Sequence, residues 1–220
     1  LPVVKDEDDR WECEVKTNQA ILEMKRHGGG PVHINMPTTY SLGYDVKILP
    51  ECRVIDRITL ADQFPELPSG KIAIFVGSHS LMSKKETDMI DAFCATNNAV
   101  VFCDHTSGYH GKYRVLYSVV AGQEGLDIGA NKPDLFIHIG EVTGDYHTMR
   151  LSGKQVWRVN PDGEIRDTFR KLRYVFEMSE SSFFEAYIKS AFEPVVDSLQ
   201  LSLTKRLEMF TNLLDLLFSN

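Results

Sequence analysis

The sequence lacks the patterns that mark several large classes of protein. Its four cysteines form no CxxC pair and have no regular spacing, which argues against a disulfide framework and favours a reducing, cytoplasmic setting. The formal net charge is −7 and no long basic cluster offsets it, so neither nucleic acid nor an anionic membrane is expected as the main partner. The acidic N-terminus has no signal-peptide core, and charges break the longest apolar-rich segment, so no membrane span is expected.

A glycine-rich phosphate-binding loop is also missing. Glycines that cradle a phosphate follow a strand and precede a helix, whereas the triplet at residues 28–30 follows a helix pattern (residues 11–26) and precedes an apolar strand pattern (residues 31–37). The carboxyl-terminal end of a helix carries a partial negative charge and repels anions. We therefore interpret Gly28 as the residue that ends the helix, a position where a positive φ is common. The first long strand pattern ends in Gly77 without the GxGxxG spacing of a dinucleotide site.

From residue 71 onward, strand patterns alternate with helix patterns. Continuous apolar runs predict buried strands at residues 71–77, 99–104, 134–140 and 154–160, with a further short strand at 173–179. Helix patterns lie at residues 83–98, 113–121, 143–153 and 180–192. The first of these helices opens with a capping box formed by Ser83 and Glu86.

This alternation predicts an α/β fold, a Rossmann-like parallel sheet flanked by helices. The helix and strand patterns before residue 38 form an N-terminal remnant outside that sheet. Within the irregular stretch that follows, residues 46–58 have alternating apolar positions that suggest an edge strand or an extended crossing.

The predicted strands end in small or polar residues, and the carboxyl ends of parallel strands meet along one edge of a sheet. We therefore expect a possible ligand crevice at that edge. Its residues are Gly77, Ser78, His79, Asp104, Gly140 and Glu141. One functional hypothesis is that this crevice binds a nucleotide or a regulatory metabolite.

Other groupings of reactive residues do not reach the standard of a catalytic or metal site. Cys103, Asp104, His105 and His110 lie close in sequence but lack the spacing of a zinc site. Nothing marks Glu141 and Asp145 as an acid/base pair. The basic stretch between residues 166 and 173 is more simply a solvated face than an anion site.

The two ends of the chain suggest a piece of a longer protein. It begins at Leu1 without a methionine and ends after a strongly apolar run. Residues 195–218 carry an apolar stripe at helical spacing, which predicts one helix. That helix either docks on the chain's own sheet or covers another domain or subunit.

Several segments together resemble thiamine diphosphate-dependent enzymes, in the branch with acetolactate synthases and the menaquinone-pathway decarboxylating synthase. They are GGGPVHINMP at 28–37, GKIAIFVGSHS at 70–80, KPDLFIHIG at 132–140 and the stretch VWRVNPDGEIRDTFRKLRYVFEMSESSFF at 156–184. The resemblance implies four parts. Residues 1–37 would end the pyrimidine-binding domain, 38–70 would be an extended linker, 71–192 the Rossmann-like central domain, and 193–220 a linker helix toward the diphosphate-binding domain.

The resemblance also implies where the chemistry lies. The family's catalytic glutamate belongs upstream of Leu1 and its GDG…N motif for Mg²⁺ and diphosphate belongs after Asn220, so no catalytic, cofactor or metal residue is carried onto this chain. The full-length parent would be a homo-oligomeric lyase or transferase that uses thiamine diphosphate and Mg²⁺. The chain alone would be an inactive central domain whose partners are the flanking domains. A free-standing Rossmann-like enzyme is the third hypothesis.

Overall fold

A computed structural model describes residues 1–37, 47–123, 129–141 and 148–188. The predicted helix at 195–218, Asp145 and much of the predicted helix at 143–153 lie outside these residues. The described strands are β1 (Asp56–Ile58), β2 (Ile72–Val76), β3 (Ala99–Cys103), β4 (Arg114–Leu116), β5 (Leu135–Ile139), β6 (Gln155–Val159) and β7 (Leu172–Phe176). The described α-helices are α1 (Glu7–Lys25), α2 (Lys84–Asn97), α3 (Tyr117–Ala121), α4 (Thr148–Leu151) and α5 (Glu180–Tyr187).

The seven described strands pair in parallel in the order β1-β7-β6-β5-β2-β3-β4. From β4 to β7 this is the order of a doubly wound Rossmann sheet, in which the chain starts at the centre and winds outward in both directions. Strand β1 comes from the stretch expected to be an edge strand or crossing, and it adds a seventh strand beside β7. The predicted α/β fold class is confirmed.

Helices cover both faces of the sheet, which explains the continuous apolar strands. Alternate residues of β2 point to opposite faces: Ile74 packs in one core with Phe93 of α2 and Phe184 of α5. Phe75 packs in the other core with Val120 of α3. All five residues of β2 are buried as a result, and a strand buried on both faces has no polar positions to interrupt its sequence.

Two predicted elements are wrong. Residues 31–37 belong to no strand in the described part of the chain and are exposed; an alternating pattern forms a strand only where an edge accepts its backbone hydrogen bonds. Residues 113–121 form strand β4 followed by the short helix α3, and not one helix. This segment pairs with the free edge of β3. The N–H of Val101 donates to the carbonyl of Tyr113 at 2.9 Å, and Val115 is buried.

The predicted N-terminal helix is confirmed, and polar contacts add to the apolar packing that holds it against the sheet. Asn18 donates to the carbonyl of Arg53 at 3.0 Å and accepts from the N–H of Ile55 at 2.8 Å. The indole N–H of Trp11 donates to the buried carboxylate of Asp167 at 2.7 Å, and Arg53 pairs with the same carboxylate at 2.7 Å. These contacts hold α1 and the segment before β1 to the rest of the fold.

Candidate functional site

The carboxyl ends of β2 and β5 flank the switch point of the sheet, where open α/β sheets place ligands. In this protein the loop after β2 and the loop after β5 are hydrogen-bonded to each other at that point. Ser78 and Glu141 form an antiparallel bridge, with the N–H of Ser78 donating to the carbonyl of Glu141 at 2.7 Å and the reverse bond at 2.9 Å. A Cβ on Gly77 would overlap the same carbonyl oxygen, and Gly140 has a φ of 70°. Four predicted crevice residues therefore lie together as a backbone joint, and ligand binding by them stays a prediction.

His79 follows this joint, and its side chain connects the loop after β2 to helix α5. Its Nε2 lies 3.3 Å from the carboxylate of Glu180, and its Nδ1 lies 2.6 Å from the carbonyl oxygen of Ser80. The hydrogen bond with Glu180 is the main reason that the pKa of His79 rises to about 9. The imidazole is therefore protonated at neutral pH, which suits a structural ion pair and not a general base.

Two basic side chains are buried beneath the joint, at the ends of β5 and β6. Arg158 donates from Nη1 to the carbonyl of Gly140 at 3.2 Å, and its Nη2 lies 3.4 Å from the carboxylate of Glu141. That carboxylate also pairs with Arg166. Burial, reinforced by the charge of Arg158, lowers the pKa of His138 to about 3, so this imidazole is neutral. Glu141 therefore neutralises arginines at this edge.

Asp104, the remaining predicted crevice residue, lines a cavity of about 350 Å³ at the carboxyl ends of β3 and β4. Its carboxylate holds its own turn, accepting from the N–H and hydroxyl of Thr106 at 2.6 and 2.7 Å. Burial raises the pKa of the neighbouring Cys103 thiol to about 12, so it does not act as a thiolate. The described residues around the cavity are Cys103, Asp104, His105, Gly108, Tyr109, His110, Arg114, Leu116, Ser118 and Val119.

Sequence reasoning missed Arg114 and Ser118 as candidate binding residues. Both come from the segment that was assigned to a single helix, and only the β4–α3 junction brings them to the cavity. Within the described ranges, no group of three or more histidine, cysteine, aspartate or glutamate side chains is placed to hold a metal ion. A search of the same ranges finds no helix with the length and apolar content to cross a membrane.

The glycine triplet lies at the end of helix α1, as interpreted from the sequence. Gly28 and Gly29 have φ values of 96° and 82°, and the N–H of Gly29 donates to the carbonyl of Arg26 at 2.8 Å. The Arg26 guanidinium reaches the carboxylate of Glu177, just after β7, at 3.0 Å. This ion pair fixes the turn beside the carboxyl edge of the sheet, and the glycines end the helix.

Several curated proteins are similar to this chain in sequence. The chain is 30% identical over 207 residues to the 2-succinyl-5-enolpyruvyl-6-hydroxy-3-cyclohexene-1-carboxylate synthase of Bacteroides thetaiotaomicron, which covers 84% of this chain. It is 28% identical over 210 residues to the synthase of the same name from Bacteroides fragilis, again over 84% of the chain. A shorter match to the synthase of Phocaeicola vulgatus is 50% identical over 58 residues, 26% of this chain and 10% of that protein. These relatives confirm the resemblance to thiamine diphosphate-dependent enzymes of the menaquinone-pathway branch.

The chain spans only part of the length of these relatives. The match spans 36% of the length of the two Bacteroides synthases. No protein-family model matches the chain.

Proposed function

We propose that the chain is the non-catalytic central domain, with flanking linkers, of a thiamine diphosphate-dependent 2-oxo acid decarboxylase or synthase. Its role would be to position the two cofactor-binding domains of the parent and to contribute to oligomer contacts. The parent would bind thiamine diphosphate and Mg²⁺ and work in the cytoplasm, where the four free cysteines of this chain stay reduced.

The observation that carries the proposal is the exposed apolar surface of the N-terminal segment. Val32, Ile34 and Met36 alternate along an extended stretch and are 40%, 38% and 67% exposed. Ile21 and Met24 of helix α1 are 43% and 42% exposed. Alternating apolar positions are typical of a segment with one face in a core, and exposed apolar side chains favour an interaction face, so we infer that these residues pack against another domain of the parent. The residues lie where the resemblance assigns the end of the pyrimidine-binding domain.

The length of the relatives supports the same proposal. The match covers 84% of this chain but 36% of the Bacteroides synthases, so most of each relative lies outside it. A doubly wound parallel sheet is the fold that the resemblance implies for the domain between the two cofactor-binding domains. Both findings agree with a middle piece of a larger enzyme.

The described side chains do not fit a Mg²⁺–diphosphate site. Such a site needs carboxylate and carbonyl oxygens that are free to face the cation. At the carboxyl edge, Glu141 is paired with two arginines, Glu177 with Arg26 and Arg57, and Asp104 with its own turn. We therefore assign no catalytic step and no cofactor contact to these residues.

The proposal is tested by assaying the purified chain itself. Calorimetric titration with thiamine diphosphate and Mg²⁺ should give no saturable heat, and 2-oxo acids should release no CO₂ above the cofactor-only rate. The synthase from Bacteroides thetaiotaomicron is the positive control for cofactor binding in the same buffer. Cofactor-dependent decarboxylation by the isolated chain would refute the non-catalytic role.

A further inference from the structure

The cavity beside Asp104 is lined by hydrogen-bond donors from Arg114, His110 and Ser118. The Arg114 guanidinium lies 2.8 Å from Nδ1 of His110, and no carboxylate of the described residues pairs with it. A guanidinium only donates, so Nδ1 of His110 is the acceptor in this contact and Nε2 is the nitrogen of the ring that can donate. The hydroxyl oxygen of Ser118 is buried and has no hydrogen-bond partner in the described structure. Three donor groups therefore line one cavity.

One carboxylate oxygen of Asp104 and the hydroxyl of Tyr109, which line the same cavity, already have protein partners. Asp104 accepts from the N–H and hydroxyl of Thr106 and lies 3.3 Å from the hydroxyl of Ser107. The hydroxyl of Tyr109 is bonded to Asp91, and burial raises the pKa of this tyrosine, so it stays neutral. Among the donors, the buried hydroxyl of Ser118 is the one left without a partner, and a ligand that supplies an acceptor would satisfy it.

The remaining walls are apolar. Leu116 and Val119 line the cavity, and the buried Cys103 thiol behaves as a small apolar group because burial keeps it protonated. The volume of about 350 Å³ is at the lower end of the range for small-molecule sites. Its position at the carboxyl ends of two parallel strands is the usual place for ligands in α/β sheets.

We propose that this cavity binds a small anion, with its carboxylate or phosphate oxygens held by Arg114, Nε2–H of His110 and the hydroxyl of Ser118. A guanidinium gives the strongest neutralising contact, since charge-assisted hydrogen bonds to oxyanions are about twice as strong as neutral ones. The apolar wall accommodates a short carbon chain. This site is independent of the role proposed for the whole chain, because it requires no flanking domain.

The test is calorimetric titration of the full chain with inorganic phosphate and, separately, with acetate, butyrate and hexanoate. Saturable binding below about 10 mM is expected from at least one of the two anion types. Affinity that rises with chain length would identify an organic carboxylate, and binding of phosphate alone would identify a phosphate site. No saturable binding of either type would overturn the proposal.

Three variants locate the site. Arg114→Met should weaken binding at least about tenfold, as expected for the loss of a charge-assisted contact. Lys112→Met removes the same charge from a neighbouring residue that stacks on Tyr113, and it should change affinity by less than about twofold. Ser118→Ala should weaken binding without lowering stability, because its hydroxyl has no partner to lose. Equal losses in Arg114→Met and Lys112→Met, with circular dichroism unchanged, would show general charge attraction and refute the site.

Discussion

Replacement of Asp167 by asparagine should weaken the attachment of the N-terminal helix and the crossing segment to the sheet and so destabilise the fold. The side chain of Asp167 is fully buried; one oxygen accepts from the Trp11 indole at 2.7 Å and pairs with Arg53 at 2.7 Å. Its other oxygen accepts from the N–H of Leu172 at 2.8 Å. Asparagine can keep the bond to Leu172 through its carbonyl oxygen. Its NH2 group would then face the indole N–H of Trp11 and the guanidinium of Arg53, which are both donors.

The magnitude follows from the burial of the pair. Removal of one partner of a buried ion pair costs about 3–5 kcal/mol. Arg53 keeps 21% of its side chain exposed, so water solvates part of the charge that is left behind. We therefore expect Asp167→Asn to lower the free energy of unfolding by about 3 kcal/mol, at the lower end of that range.

Urea unfolding at neutral pH measures this effect, with Asp8→Asn as the matched control. Asp8 makes an ion pair with Arg170, in which the two side chains are 73% and 45% exposed, so its loss should cost less than about 0.5 kcal/mol. The midpoint should fall for Asp167→Asn with an unchanged m-value. A difference between the two variants of less than about 1 kcal/mol would refute the assignment of Asp167 as the anchor of α1.

Two further predictions concern the carboxyl edge of the sheet. Gly77→Ala should destabilise the protein by about 2 kcal/mol in urea unfolding, because the new Cβ overlaps the carbonyl of Glu141. Gly30→Ala is its control, since a Cβ there meets nothing within 4 Å, and equal effects would contradict the closed joint. For His138, the folded pKa of about 3 lies below the ordinary histidine value of 6.5. Between these pH values the unfolded chain therefore binds a proton that the folded chain does not. Stability should therefore fall as the pH falls, and His138→Gln should make that slope shallower by about 1.4 kcal/mol per pH unit; identical slopes would mean that His138 is not buried as a neutral ring.

The central strands were predictable because burial on both faces leaves a clear mark in the sequence. Strands β2, β3, β5, β6 and β7 follow continuous apolar runs, and the capping box at Ser83 and Glu86 is confirmed by a 2.7 Å bond from the N–H of Ser83 to the Glu86 carboxylate. Strand β4 was missed because it has three residues and depends on the edge of β3. The strand predicted at 31–37 does not form, because its alternating apolar pattern has no strand edge to pair with in the described part of the chain.

The candidate site was predictable in position but not in detail. Parallel strands fix which residues share the carboxyl edge, so Gly77, Ser78 and Glu141 were correctly placed near one another. The closure of the two loops by backbone hydrogen bonds depends on separations of a few tenths of an ångström, which no residue pattern encodes. The ion pair of His79 with Glu180 and the bond of Trp11 to Asp167 join residues far apart in sequence, so the folded topology alone reveals them.

The central claim is that this chain is the middle part of a thiamine diphosphate-dependent enzyme, and the gene that encodes it tests this claim most directly. Sequencing on both sides of the codons for Leu1 and Asn220 should reveal one continuous reading frame. The account predicts a domain with the catalytic glutamate upstream and a GDG…N motif downstream. A start codon immediately before Leu1 together with a stop codon immediately after Asn220 would contradict it.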